Sequence, residues 1–63
     1  MMIYELNDNF YLWQDGKAYT VTPRWRNGKD YKVFTGTLEE CREFMELHPY
    51  GMTKKKAIEI IGG

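Results

Sequence analysis
The side chains that could carry acid–base or nucleophilic chemistry are few: one His, one Cys and nine Asp plus Glu in 63 residues. His48 precedes Pro49 and has no second His, no metal partner and no nucleophile close in sequence. It is expected to finish a helix, where a cation suits the carbonyl end. Cys41 falls on an apolar stripe and reads as an inert core thiol. A single Cys excludes an internal disulfide, and one Cys with one His cannot supply a zinc site built from Cys and His alone. Glu39, Glu40, Glu43 and Glu46 form a solvated helix face, since two carboxylates divide into acid and base only where a shaped pocket separates their pKa values. Gly16, Gly28, Gly36, Gly51, Gly62 and Gly63 fall at turns and ends, with no phosphate-cradling spacing. The expectation is no catalysis, no metal and no cofactor.

What remains is binding, and the elements decide where a surface can lie. The chain is long enough for one small domain, whose stability at typical values is about 3–9 kcal/mol. No apolar run approaches the roughly 20 residues that span a bilayer, and the first residues lack the basic-then-apolar order of a signal peptide. A reduced, soluble, cytoplasmic protein is expected. Net charge is zero, but residues 1–16 carry Glu5, Asp8 and Asp15 with no cation. Residues 17–32 carry Lys17, Arg24, Arg26, Lys29 and Lys32 against Asp30 alone.

Aromatic and β-branched residues concentrate before residue 36, which marks that half as sheet. Asp15-Gly16 and Asn27-Gly28 each sit between such runs, the strongest short-range signal for a two-residue hairpin. Strands are expected over 9–14, 17–26 and 29–35, with 2–6 as a first strand turning through Asn7-Asp8. Pro23 lacks a backbone donor and predicts a bulge or a gap in the ladder. After Gly36 the period changes. Thr37-Leu38-Glu39-Glu40 is a capping box, and Leu38, Cys41, Phe44, Met45 and His48 recur at helical spacing until Pro49 and Gly51. Residues 53–61 read as a shorter second helix, or as an edge strand through Ala57-Ile58-Glu59-Ile60-Ile61. The fold class is α+β: an antiparallel meander of three or four strands packed on one helix, with a short C-terminal element.

Reflection about the two turns sets Leu12 opposite Tyr19, Phe10 opposite Val21, and Val21 opposite Phe34. These share the face that meets the helix. Tyr11, Trp13, Ala18, Thr20, Thr22, Arg24, Tyr31, Val33 and Thr35 then share the other face, joined by Met2, Tyr4 and Leu6 if the first strand pairs. That second face is a recognition platform, or it is covered by Ala57, Ile58, Ile60 and Ile61, or by a second copy in a homodimer. Tyr11, Trp13, Arg24 and Tyr31 are its candidate anchors, because aromatics and Arg dominate binding hot spots. Arg26 and Lys29 are candidate contacts beside the second turn. Zero net charge favours a protein partner over nucleic acid.

Three strands followed by a helix, with Asn27-Gly28-Lys29 in a hairpin and Thr37–Glu40 opening the helix, resembles the three-stranded DNA-binding domains of the AP2 type. The arm-binding domains of phage-type integrases look similar. The resemblance spans residues 9–48 and implies an exposed sheet face that enters the major groove, its Arg, Lys and aromatic side chains touching bases and phosphates. This chain departs from it in a Thr- and Tyr-rich face with Arg24 as its cation. A short, aromatic-rich chain without an enzyme motif also looks like phage and mobile-element accessory proteins, many of which bind and block a host protein.

Overall fold
The aromatic half folds as sheet and the half behind the capping box as helix. A computed structural model describes residues 2–25 and 31–61. Strands β1 (Met2–Leu6), β2 (Phe10–Asp15), β3 (Ala18–Pro23) and β4 (Phe34–Gly36) form an antiparallel sheet in sequence order, followed by α1 (Leu38–Glu46) and α2 (Lys54–Ile61). The fold is α+β, a four-stranded meander packed against two helices. The C-terminal segment is helix and not edge strand: Thr53 Oγ1 accepts from Lys56 N at 3.2 Å and Thr53 O from Ala57 N at 3.0 Å, so its first turn is capped despite three lysines there.

The first hairpin corrects the expected register. Asp15 pairs with Ala18, Leu12 with Val21 and Phe10 with Pro23, so the loop is Gly16-Lys17 and neither Leu12–Tyr19 nor Phe10–Val21 is a pair. A turn centred on Asp15-Gly16 would need positive φ at both residues, and only Gly16 has it, at 62°. Gly16 therefore takes the first loop position and Lys17 the second, the pattern of type II′ turns. The pairing moves by two residues, and since side chains alternate with period two, every β2 and β3 residue keeps its expected face. A Cβ at Gly16 would meet nothing within 4 Å, so Gly16→Ala is a test of backbone strain alone. It is expected to lower the denaturation free energy by about 1 kcal/mol with an unchanged slope in urea.

In the second hairpin Val21 does lie opposite Phe34, the register that reflection about Asn27-Gly28 requires. That turn, with Arg26 and Lys29, lies outside the described residues. Of the strand expected over 29–35, the described part is strand only from Phe34, in β4 (Phe34–Gly36); Val33 N–H still donates to Val21 O at 2.9 Å, while Tyr31 and Lys32 lie outside the strand. The Trp25 ring packs edge-on against Tyr31 at 5.3 Å and its Nε1–H donates to Met52 O at 2.7 Å, which ties Trp25 and Tyr31 to the C-terminal segment. Pairing of β3 with β4 stops at Val21, short of the donorless Pro23.

The bulge falls in β1. Ile3 pairs with Trp13 but Glu5 pairs with Leu12, which leaves Tyr4 as the extra residue. Its ring meets Tyr19 edge-on at 5.2 Å, so Tyr4 and Glu5 both turn to the helix side, where Glu5 forms an ion pair with Arg42 of α1. Of the three β1 residues expected on the second face, Leu6 alone is there, opposite Tyr11. Met2 pairs with Gln14 on the helix side, and Ile3 takes the outer position instead.

Phe10, Leu12 and Val21 alternate onto the helix side and are fully buried, in one core with Cys41 and Met45 of α1. Phe44 stacks on Phe34 with centroids 4.9 Å apart, and Phe10 meets Phe44 edge-on at 5.9 Å. The box that starts α1 is complete: Thr37 Oγ1 accepts from Glu40 N, and Glu40 Oε1 accepts from Thr37 N at 2.9 Å. The Thr37 amide, and then its hydroxyl, hold the Glu40 carboxyl below its ordinary range. A carboxylate with a depressed folded pKa stabilises the fold above its unfolded pKa of about 4.3 and loses that contribution as pH falls through the folded value. Acid titration should therefore destabilise the wild type below about pH 4.3 by a component that is absent in Glu40→Gln, read as the difference between their melting temperatures at pH 7 and pH 3.

Candidate binding surface
The side of the sheet away from α1 is divided. Over β3 it is closed: Thr20 and Thr22 are fully buried, although threonine is mostly a surface residue. Their hydroxyls are satisfied inside the fold, Thr22 Oγ1 accepting from Trp13 Nε1–H at 2.8 Å and Thr20 Oγ1 sharing a hydrogen bond with Thr35 Oγ1 at 3.3 Å. Among the described residues no buried side-chain nitrogen or oxygen lacks a partner. Trp13 covers these threonines from the β2 side. From the C-terminal segment, Met52 and Ala57 are buried in one cluster with Val33, while Ile58, Ile60 and Ile61 stay exposed.

Over β1 and β2 the same side is open. Tyr11 and Trp13 are half-buried with rings 5.8 Å apart, and the Arg24 guanidinium lies 4.9 Å from the Tyr11 centroid. Arg24 Nη1–H also donates to Asn7 O at 2.7 Å, and its backbone N–H to Asn9 O at 2.9 Å, so the cation is fixed over the ring. Across the strand pair, Leu6 stands opposite Tyr11 and Ile3 opposite Trp13, 54% and 46% exposed. The result is a contiguous patch of two aliphatic and two aromatic side chains with a guanidinium at one end. The Trp13 ring is held by its hydrogen bond to Thr22 and the Tyr11 ring by the Arg24 guanidinium above it, before any partner arrives, which lowers the entropy cost of binding.

Of the six residues picked from sequence, Tyr11, Trp13 and Arg24 come together. Tyr31 sits with Trp25 at the connection before β4, and Arg26 and Lys29 lie outside the described residues. Ile3 was missed, because strict alternation from Leu6 sends it to the other face. The only signal was a bulge that depends on contacts far along the chain.

Elsewhere the side chains with chemical potential are occupied. Burial pushes the Cys41 thiol up, and the thiol is inaccessible. His48 Nδ1–H donates to Phe44 O at 2.8 Å and its ring lies 4.4 Å from that of Phe44. Arg42 is held charged by its bond to Glu5, with a cavity of about 440 Å³ beside them. A smaller hollow of about 200 Å³ lies over Phe34 and Phe44, rimmed by Glu40 and Glu43. Among the described residues no group of three or more His, Cys, Asp or Glu is placed to hold a metal ion, and no helix is long and apolar enough to cross a membrane. No family model, curated protein or solved structure matches the chain.

Proposed function
We propose that this chain is a non-enzymatic binding module of the accessory-protein kind, which grips and blocks a protein partner through the patch of Ile3, Leu6, Tyr11, Trp13 and Arg24. The observation that carries this is the cluster in which Arg24 lies over Tyr11 and Tyr11 meets Trp13 at a tilt, beside two exposed aliphatic side chains. Exposed apolar groups joined to fixed aromatics and an Arg are the composition of an interface hot spot. A non-catalytic role is supported by the engagement of His48 with Phe44 and the burial of Cys41.

Protein is favoured over DNA as the partner because Arg24 already spends its guanidinium on Asn7 O and the Tyr11 ring. A phosphate contact would have to compete with both. The test is a salt series on the captured complex, from about 50 to 200 mM. An apolar patch predicts affinity that is nearly flat and insensitive to nuclease, whereas phosphate contacts predict a loss of orders of magnitude over that range. A steep, nuclease-sensitive loss would sink the protein-partner proposal in favour of the sheet-in-groove alternative.

A further inference from the structure
We propose that β1 is the docking edge for a second copy of this chain, paired antiparallel about a twofold axis normal to the sheet. β1 is an outer strand, and among the described residues it pairs only with β2, so its other edge presents unpaired main-chain groups. Proteins commonly guard such an edge with Lys or Pro. β1 has neither, its one charge, Glu5, is paired with Arg42, and Met2, Ile3, Tyr4 and Leu6 are 72%, 46%, 45% and 54% exposed. These side chains lie on both sides of the strand, Met2 and Tyr4 toward the helix, Ile3 and Leu6 away from it. An occupant must therefore be apolar on both sides, as a second β1 is.

The bulge selects the register. Directly opposed residues in an antiparallel pair share a face, and here Tyr4 and Glu5 are neighbours on one face. Setting Ile3 opposite Leu6 of the second copy sets Tyr4 opposite its Glu5, and the twofold repeats both pairs, so faces match from Ile3 to Leu6. A bulge ordinarily blunts an edge against regular strands, but in this register bulge meets bulge. Zero net charge puts no overall repulsion between copies. The opposite edge of the sheet, β4, is three residues long, too short to template a further copy, so association closes as a pair.

An axis normal to the sheet keeps both outer sides facing the same way. Ile3 and Trp13 of one copy then lie beside Leu6 and Tyr11 of the other, and the patch doubles in extent. That consequence rests on the binding proposal above, whereas the dimer does not.

Sedimentation equilibrium of the full chain over about 10 µM to 1 mM tests the pairing. The expected mass rises with concentration from 7.5 kDa toward twice that value. Tyr4→Glu and Tyr4→Lys lose the Tyr19 ring contact equally, but the first sets like charges opposite Glu5 twice and the second sets opposite charges there. The dimer dissociation constant is expected to rise about tenfold for Tyr4→Glu relative to Tyr4→Lys. Amide exchange on the wild type gives a readout that needs no variant, with β1 amides more protected at high concentration than at low. A wild type that stays monomeric, equal dissociation constants for the two variants, or β1 exchange independent of concentration would each overturn the pairing. None of those results touches partner capture, which is read on Tyr11 and Trp13 in separate experiments.

Discussion

Phe10→Ala should lower the unfolding free energy by about 3–5 kcal/mol, most of what a chain this size has, about 3–9 kcal/mol. Phe10 is fully buried, stands beside Leu12 and Val21, and contacts the Phe44 and His48 rings at 5.9 and 6.3 Å. Truncation opens a cavity where sheet, α1 and the α1–α2 connection meet, since Asn9 Nδ2–H next to it donates to Pro49 O at 2.8 Å. Phe34 and Phe44 are each only half-buried, so alanine there costs less than at Phe10, although both stripes look equivalent in the sequence. Urea denaturation of the three variants at one temperature checks the order. Equal losses at all three would contradict the packing described.

Trp13→Ala should have two effects of different origin. At the surface it removes an anchor of the patch, and loss of a hot-spot aromatic weakens binding by about 2 kcal/mol or more, roughly thirtyfold. Beneath the surface it removes both the ring that covers Thr22 and the indole N–H bonded to that buried hydroxyl at 2.8 Å, a loss of packing and of a hydrogen bond that costs about 1–3 kcal/mol of stability. Trp13→Phe separates them: most of the apolar contact is kept while the hydrogen bond is lost. The phenylalanine variant should melt early, as the alanine variant does, yet retain most of the affinity. Titration calorimetry with the isolated partner and thermal melting of the free protein measure the two effects independently.

How much of this was visible in residue order differs from element to element. Thr37 and Glu40 announce α1 because a capping box is a local interaction spanning four residues. The faces of β2 and β3 were legible even with the turn displaced, because a two-residue slip preserves alternation. β1 was not legible beyond its existence. Its bulge is fixed by Tyr4 meeting Tyr19 and by Glu5 reaching Arg42, contacts between distant parts of the chain, and no short pattern encodes them. The same holds for Trp25, whose bond to Met52 O joins residues 27 apart in the chain. The site inherits that division: Tyr11, Trp13 and Arg24 follow from alternation, whereas Ile3 joins them only through the bulge.

The patch is tested most directly by two matched tyrosine truncations. Tyr11→Ala removes the ring between Arg24 and Trp13, and Tyr50→Ala removes a ring that is 96% exposed after α1. Binding of one nuclease-resistant protein partner is measured for both against the wild type. The expected result is a loss of at least about tenfold for Tyr11→Ala and no change for Tyr50→Ala. Undiminished binding by Tyr11→Ala, or loss with Tyr50→Ala alone, would place the binding surface elsewhere on the molecule.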